Sequence, residues 1–382
     1  MMMRGLLRIG FWIERNPWFL YLTTIAIWSS ALLSKLLYNG LVYGFDYGLF
    51  HPDGALYTFR TLLWSGYSEF EAGKIVSEWY DSKSFKAKYE GPELYYSTNS
   101  MWDQYSSRVL YPLLSIPFVK LLGPSGMLVI PSMTFLFVLL AISRIAIKSE
   151  QKLLGFMAIF LITMSTTTSR WMFANTSDGL LLAFTTLIIL ICHANPDLNL
   201  KKSGMLLLLF AVVGSSLTRF SLLTWVAIGF VFLLRGRWKE FTVITFTALL
   251  GALPVFLNPF FDSVLPGYGE KSFLEKTWIY PVNLVKVTFV ELGQLFVLDR
   301  VLLVLLVVTI LLALTNLKTI SSQMFLATLV AVWLTGAING VLGVNFRYQL
   351  PVIPIMLWAL VDLLPNVKRV VKEYSREKTA GL

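Results

Sequence analysis

An acid at Asp53 and a guanidinium at Arg108 are the first residues in this chain whose types and setting suit chemistry. Both follow the first long apolar run, in His51-Pro-Asp-Gly-Ala-Leu-Tyr57 and Arg108-Val-Leu-Tyr-Pro112. A polar stretch that returns to a bilayer with such groups can hold a lipid phosphate on the cation while the carboxylate accepts a proton from an incoming nucleophile. Asp53 is the first choice for that base, and an acid opening a helix also has the ordinary role of capping it. Asp46 is the second choice, against the plain reading of a solvated loop acid. Arg108 fits the phosphate because a guanidinium grips two oxygens at once and stays charged near lipid. An arginine that merely snorkels to headgroups is the alternative.

The rest of the chain must place these groups at a membrane. Its 382 residues are 56% hydrophobic and only 14% charged, and mean hydropathy is +0.68. Soluble domains carry more charge and less apolar content, so the composition reads as a polytopic membrane protein. The formal charge of +10 comes mainly from Lys and Arg in short connections between apolar runs, where they set topology and meet anionic headgroups rather than nucleic acid. One cysteine, Cys192, excludes an intramolecular disulfide and a Cys-rich metal site, and reads as packing.

A helix needs about 20 apolar residues to cross the hydrocarbon, with shorter and tilted variants known. Trp18 to Leu37 reads as a retained first span, since it is too long for a signal-peptide core. Nine further runs follow: Met127 to Ile147, Leu153 to Thr168, Leu180 to Cys192, Met205 to Leu217, Phe220 to Leu234, Phe241 to Leu257, Val301 to Leu314, Phe325 to Ile338 and Leu350 to Leu364. The expected fold is an all-α transmembrane bundle of about ten spans, in one unit over 1–382. An outer loop fills 38–125, the remaining bundle 126–366, and a basic tail 367–382.

The short run Val109 to Leu122, with Pro112 and Pro117, decides orientation. If it dips along the outer surface, Arg4, Arg8, Arg15, Lys148, Lys152, Lys201, Lys202, Arg235, Arg237, Lys239, Lys318, Lys368, Arg369 and Lys372 all become cytoplasmic. The outer side then holds the Tyr38 to Arg108 loop, the turns at Thr176-Ser-Asp178 and Leu217-Thr-Arg219, the Asn258 to Asp299 connection and Asn345-Phe-Arg-Tyr348. Within the first loop, helices are expected over Ala55 to Trp64, ended by Gly66, and over Phe70 to Trp79, with an irregular segment from Tyr89 to Tyr105.

Taken in order, these motifs resemble a GT-C-type integral membrane glycosyltransferase. The similarity lies in Pro52-Asp53-Gly-Ala-Leu-Tyr57 with Arg60, Leu63 and Gly66, in Arg108-Val-Leu-Tyr-Pro112, in Thr176-Ser-Asp178-Gly-Leu-Leu, in Leu217-Thr-Arg219-Phe with Arg235-Gly-Arg-Trp238, and in Arg347-Tyr-Gln-Leu-Pro351. The matches span most of the chain, and each motif is unspecific alone. The resemblance implies a polyprenyl-phosphate sugar donor, inverting transfer to a hydroxyl of a glycan, lipid or protein acceptor, and an extracytoplasmic site. Many relatives pair two carboxylates at the first motif. Here Asp53 is followed by Gly54, so no metal is assigned and a divalent ion is left open.

Under that reading Arg347 and Arg219 are further phosphate contacts, although an Asp178–Arg219 salt bridge would account for both of its members without chemistry. Tyr57, Trp102, Tyr105 and Tyr111 could stack on a sugar or line the lipid, and an interfacial aromatic belt is their plain alternative. Asp178, His51 and Tyr348 are supporting residues, and His193 has no role. A lipid-linked saccharide transporter or flippase, a lipid-linked-glycan polymerase, and a noncatalytic subunit of the same fold are the rival readings.

Overall fold

In the computed structural model, the described residues are 16–43, 52–79, 108–174, 176–219, 221–256, 273–339 and 346–364. Side chains at 38–43, 52–53, 254–256, 273–280 and 339 fall outside that description. Among the described residues every regular element is helical. Among the described residues, four runs are long and apolar enough to cross a bilayer: Pro17–Leu37, Leu110–Lys148, Pro281–Leu298 and Ile320–Ile338. A bent pair, Lys152–Met164 with Thr166–Met172, makes a fifth if counted as one span. Large apolar side chains such as Phe210, Phe246, Phe289 and Leu311 stand exposed on the periphery, as a lipid-facing surface requires.

Helix α1 (Pro17–Tyr43) runs antiparallel to α5 (Val129–Lys148): Thr24 meets the Ser143 hydroxyl at 2.8 Å, and Trp28 donates to the Ser132 carbonyl at 3.0 Å. Between them in sequence come α2 (Pro52–Trp64), α3 (Glu69–Trp79) and α4 (Leu110–Leu122). The first two reproduce the expected pair of loop helices. Gly66, at φ +99°, ends α2 in a conformation that suits glycine.

The apolar run from Leu110 to Lys148 is folded, because Tyr111 donates to the Met127 carbonyl at 2.7 Å. In a straight helix those residues would lie about 24 Å apart. A 3-10 turn over Gly123–Leu128 brings the chain back against α4 so closely that a Cβ on Gly126 would sit 2.3 Å from the Phe118 carbonyl carbon. Gly126→Ala must push two backbones apart, and we expect a loss of about 1–3 kcal/mol, read as a lower thermal midpoint in detergent. Helix α4 buries Tyr111, Pro112, Ser115 and Val119 and leaves Leu113, Leu121 and Leu122 exposed. One face lies on α2, where Thr61 donates to the Pro112 carbonyl at 3.3 Å.

The remaining helices are α6 (Lys152–Met164), α7 (Thr166–Met172), α8 (Asp178–Ala194), α9 (Lys202–Ser216), α10 (Leu222–Leu234) and α11 (Trp238–Phe256). They are followed by α12 (Phe273–Leu298), α13 (Arg300–Thr315), α14 (Ile320–Asn339) and α15 (Val352–Leu363). Contacts between helix ends sort them into two levels. At one end, Gln151 donates to the Leu364 carbonyl, Ser321 to Asp362, Arg235 to Gln323 and Lys318, and Arg237 to the Asp197 carbonyl. Lys148, Lys152, Lys201, Lys202, Lys239 and Lys318 belong to the same end through these neighbours. At the other end, the Leu110 N–H donates to the Leu217 carbonyl, Ser165 meets Asp299, and Asp178 meets Arg219 and Arg347. The basic connections therefore gather at one end of the bundle, as the dipping reading of α4 requires. The first and last groups of basic residues, Arg4 to Arg15 and Lys368 to Lys372, lie outside the described residues.

Two features depart from the sequence reading. The run Leu153 to Thr168 is bent by 76° at Ser165, where the Ser165 oxygen accepts the Thr168 N–H and caps α7. Asp299 locks the bend, accepting the Ser165 hydroxyl at 2.6 Å and the Thr167 N–H at 2.8 Å while capping α13 through Leu302. Second, the Asn258 to Asp299 stretch is more than a connection: it contains the 26-residue α12. Lys286, Glu291, Gln294 and Pro281 dilute its apolar pattern. Its Glu291 accepts the Phe346 N–H at 2.6 Å and its Leu298 carbonyl accepts Thr166, both at the end away from the basic connections.

Helix α15 is the centre of the bundle. Every residue from Val352 to Val361 is buried, against α5, α6, α8, α13 and α14. The turn that leads into it, residues 346–351, delivers Arg347 and Tyr348 to the end where the other polar motifs meet.

Candidate functional site

The site starts from Asp178, in the first turn of α8. A carboxylate there is favoured by the helix dipole, but a buried charge also needs partners. Asp178 has two: Oδ1 accepts from Arg219 and Oδ2 accepts from Arg347 Nε at 2.8 Å, and the carboxylate is only 1% exposed. The salt bridge expected between Asp178 and Arg219 is therefore present, and Arg347 extends it into a triad.

Each guanidinium also lies over an aromatic face, Arg219 at 4.6 Å from the Tyr348 ring centre and Arg347 at 4.7 Å from that of Trp171. Such stacking suits a weakly hydrated planar cation. Burial, and next the Arg347 charge, pull the Arg219 guanidinium down to about 10, with Arg108 adding to the effect and the phenol oxygens of Tyr348 and Tyr57 opposing it. Arg219 stays charged at neutral pH.

Arg108 joins the cluster through Tyr57. Its Nη1 donates to the Tyr57 hydroxyl at 3.3 Å, and that hydroxyl lies 2.9 Å from Ser177 Oγ, the residue before Asp178. Arg108 is half-buried, whereas Tyr57 and Ser177 are enclosed. Helix α4 is set down here by the bond from the Leu110 N–H to the Leu217 carbonyl, two residues before Arg219. Five motifs separated by up to 290 residues in sequence thus meet at one end of the bundle through α2, α4, the start of α8, the α9–α10 turn and the entry to α15.

Tyr111 packs edge-on against Tyr57, with ring centres 5.2 Å apart, and is fully buried with its hydroxyl on the Met127 carbonyl. Its observed contacts are those of a packing residue that steadies Tyr57. Asp46, His51, Trp102 and Tyr105 lie outside the described residues, as does the side chain of Asp53, whose backbone is in the first turn of α2.

Ser177, Trp171 and Gln349 were not singled out from the sequence. Gln349 is fully buried and, among the described residues, neither of its amide atoms has a hydrogen-bond partner, nor do the buried Trp333 Nε1 and Thr176 Oγ1. Buried polar atoms in this state call for water or a ligand. The neighbouring polar motifs were the only local signal, since a side chain's long-range partner is not written in its own segment. Among the described residues no three His, Cys, Asp or Glu side chains gather at metal-ligating distance.

The arrangement can bind an anion. Arg108 and the Asp178-held pair present guanidinium groups within electrostatic reach of one another, in an environment that strengthens charge–charge attraction. Comparison with protein families, with curated proteins and with solved structures finds no match.

Proposed function

We propose that the chain is a GT-C-type integral membrane glycosyltransferase, moving a sugar from a polyprenyl-phosphate carrier to an acceptor hydroxyl on the extracytoplasmic side. The observation that carries this reading is the meeting of Arg108, Tyr57, Asp178, Arg219 and Arg347 at the end of the bundle opposite the basic connections. Positive connections face the cytoplasm in multi-pass proteins, so the arginine cluster faces out. In this orientation the ten helices α1, α5, α6, α8, α9, α10, α11, α13, α14 and α15 cross the membrane, the ends of the chain are cytoplasmic, and α2, α3, α4 and α12 lie on the outer side, α12 through its contacts to Phe346 and Thr166. Several of these helices have only 12–17 residues, and the polar cluster caps their outer ends where a full apolar length would otherwise be needed.

Arg108 holds the donor phosphate, and the Asp178-bound arginines keep the surrounding field positive. The acceptor oxygen attacks the anomeric carbon as the bond from that carbon to the phosphate oxygen breaks. Its proton passes to Asp53, and polyprenyl phosphate leaves with the bonding pair. Negative charge grows on the leaving oxygen, so a fixed cation helps most in the transition state.

The test uses purified full-length protein, a panel of polyprenyl-phosphate sugars with candidate acceptors, and release of free polyprenyl phosphate as the readout. Wild type should release the carrier from at least one donor, and Arg108→Ala should lower the rate about 10²- to 10³-fold. Absence of release from every donor, with folding and acceptor supply verified, would overturn the assignment.

A further inference from the structure

At the basic end of the bundle, away from the arginine cluster, a half-open cavity of about 280 Å³ lies between α5, α8 and α9. Its polar side is built from Arg144 and Lys148, one turn apart on α5, from His193 and Asn195 at the end of α8, and from Lys201 before α9. Residues four apart share a helix face, so the two α5 cations point into the same space. The first turn of α9 borders the cavity through Ser203 and Gly204, and its N-cap makes no side-chain hydrogen bond. The other wall is apolar: Leu187 and Leu190 from α8 and Leu207 from α9 line it. Leu207 is exposed, and its neighbours Leu206 and Phe210 continue the apolar surface outward.

A cationic floor beside an apolar wall fits one chemistry, a phosphate carried on a hydrocarbon chain. From these groups we infer that the cavity binds the headgroup of an anionic phospholipid. The phosphate sits on Arg144, Lys148 and Lys201, and an acyl chain runs down Leu187, Leu190 and Leu207 into the bilayer. Basic pockets between membrane helices on the cytoplasmic side recognise anionic headgroups in this way. The inference does not depend on the proposed transferase activity. It requires only that this end of the bundle meets a membrane surface.

The test titrates full-length protein in a neutral detergent with phosphatidylglycerol, phosphatidylcholine or inorganic phosphate and follows the thermal midpoint. Phosphatidylglycerol should raise the midpoint saturably, phosphatidylcholine should not, and inorganic phosphate should act only at far higher concentration. Lys201→Gln and the triple variant Arg144→Gln, Lys148→Gln, Lys201→Gln should weaken the lipid response by roughly fivefold per cation removed. Lys239→Gln with Lys318→Gln, at the same end but not among the residues that line the cavity, should respond as wild type. Equal shifts with both lipids, an unaltered response in the cavity variants, or an equal loss in the Lys239 and Lys318 control would overturn the site. Inorganic phosphate matching the lipid at equal concentration would make it a free-anion site and overturn the lipid assignment. Lys201 is exposed, so its single variant keeps the test open if the triple variant fails to fold.

Discussion

Asp178→Ala is expected to destabilise the protein by about 3–5 kcal/mol, the cost of leaving a buried charge uncompensated. The carboxylate holds Arg219 on one oxygen and Arg347 on the other, and both arginines are nearly buried. Removing it strands two cations that already disfavour each other. Removing one arginine leaves Asp178 with the other, so Arg219→Ala and Arg347→Ala should each cost less than Asp178→Ala. Thermal and denaturant unfolding of the three variants in one detergent reads this order directly. A variant at Asp178 milder than both arginine variants would contradict the triad as a stabilising unit. Asp178→Asn keeps the acceptor but loses the charge, and should fall between wild type and Asp178→Ala.

The triad bears on function through position. Buried ion pairs add little net stability against well-packed apolar replacements, so a strong stabilising role is not by itself a reason to place two arginines here. Their geometry does more: Arg347 enters from the start of α15 and Arg219 from the α9–α10 turn, and Ser177 beside Asp178 meets the hydroxyl that receives Arg108. The ion pairs fix the entry to α8, and Ser177 passes that order to Tyr57 and Arg108. If Arg108 holds the donor phosphate as proposed, an arginine fixed in this way needs less ordering when its ligand arrives.

Local pattern made much of this legible. The apolar runs located α5, α8 and α14 within a few residues, and Gly66 ended α2 where a left-handed residue was expected. The charge asymmetry of the connections matched the two ends of the bundle. What pattern does not contain is which faces turn inward, because lipid and protein core are both apolar. Leu350 to Leu364 read as one more span, yet Val352 to Val361 is buried on all sides at the centre. The bend at Ser165 depends on Asp299, 134 residues away, and Arg347 finds its acid 169 residues away. The Ser165-Thr-Thr-Thr-Ser169 cluster was the local sign of the bend, visible only as a polar end to an apolar run. Helix α12 was passed over because charged residues interrupt its apolar stripe.

Asp53→Asn separates chemistry from helix stability, and the magnitudes decide between them. In the first turn of α2 a carboxylate interacts with the helix dipole for about 0.3–1 kcal/mol, and asparagine retains an oxygen that can accept a backbone N–H. A purely structural Asp53 therefore predicts a small drop in thermal midpoint and little change in rate. A general base contributes about 10²- to 10⁴-fold, and asparagine cannot take the proton. Position 53 lies one turn before Tyr57, whose hydroxyl accepts from Arg108, so the helix brings the acid's segment to the end that holds the arginine cluster. We expect Asp53→Asn to lower the rate of polyprenyl-phosphate release by about 10²- to 10⁴-fold with the donor KM nearly unchanged. Asp53→Ala should match that rate loss and add the loss of a carboxylate's interaction with the helix dipole. Wild-type turnover in Asp53→Asn would remove Asp53 as the base and leave it a structural residue of α2.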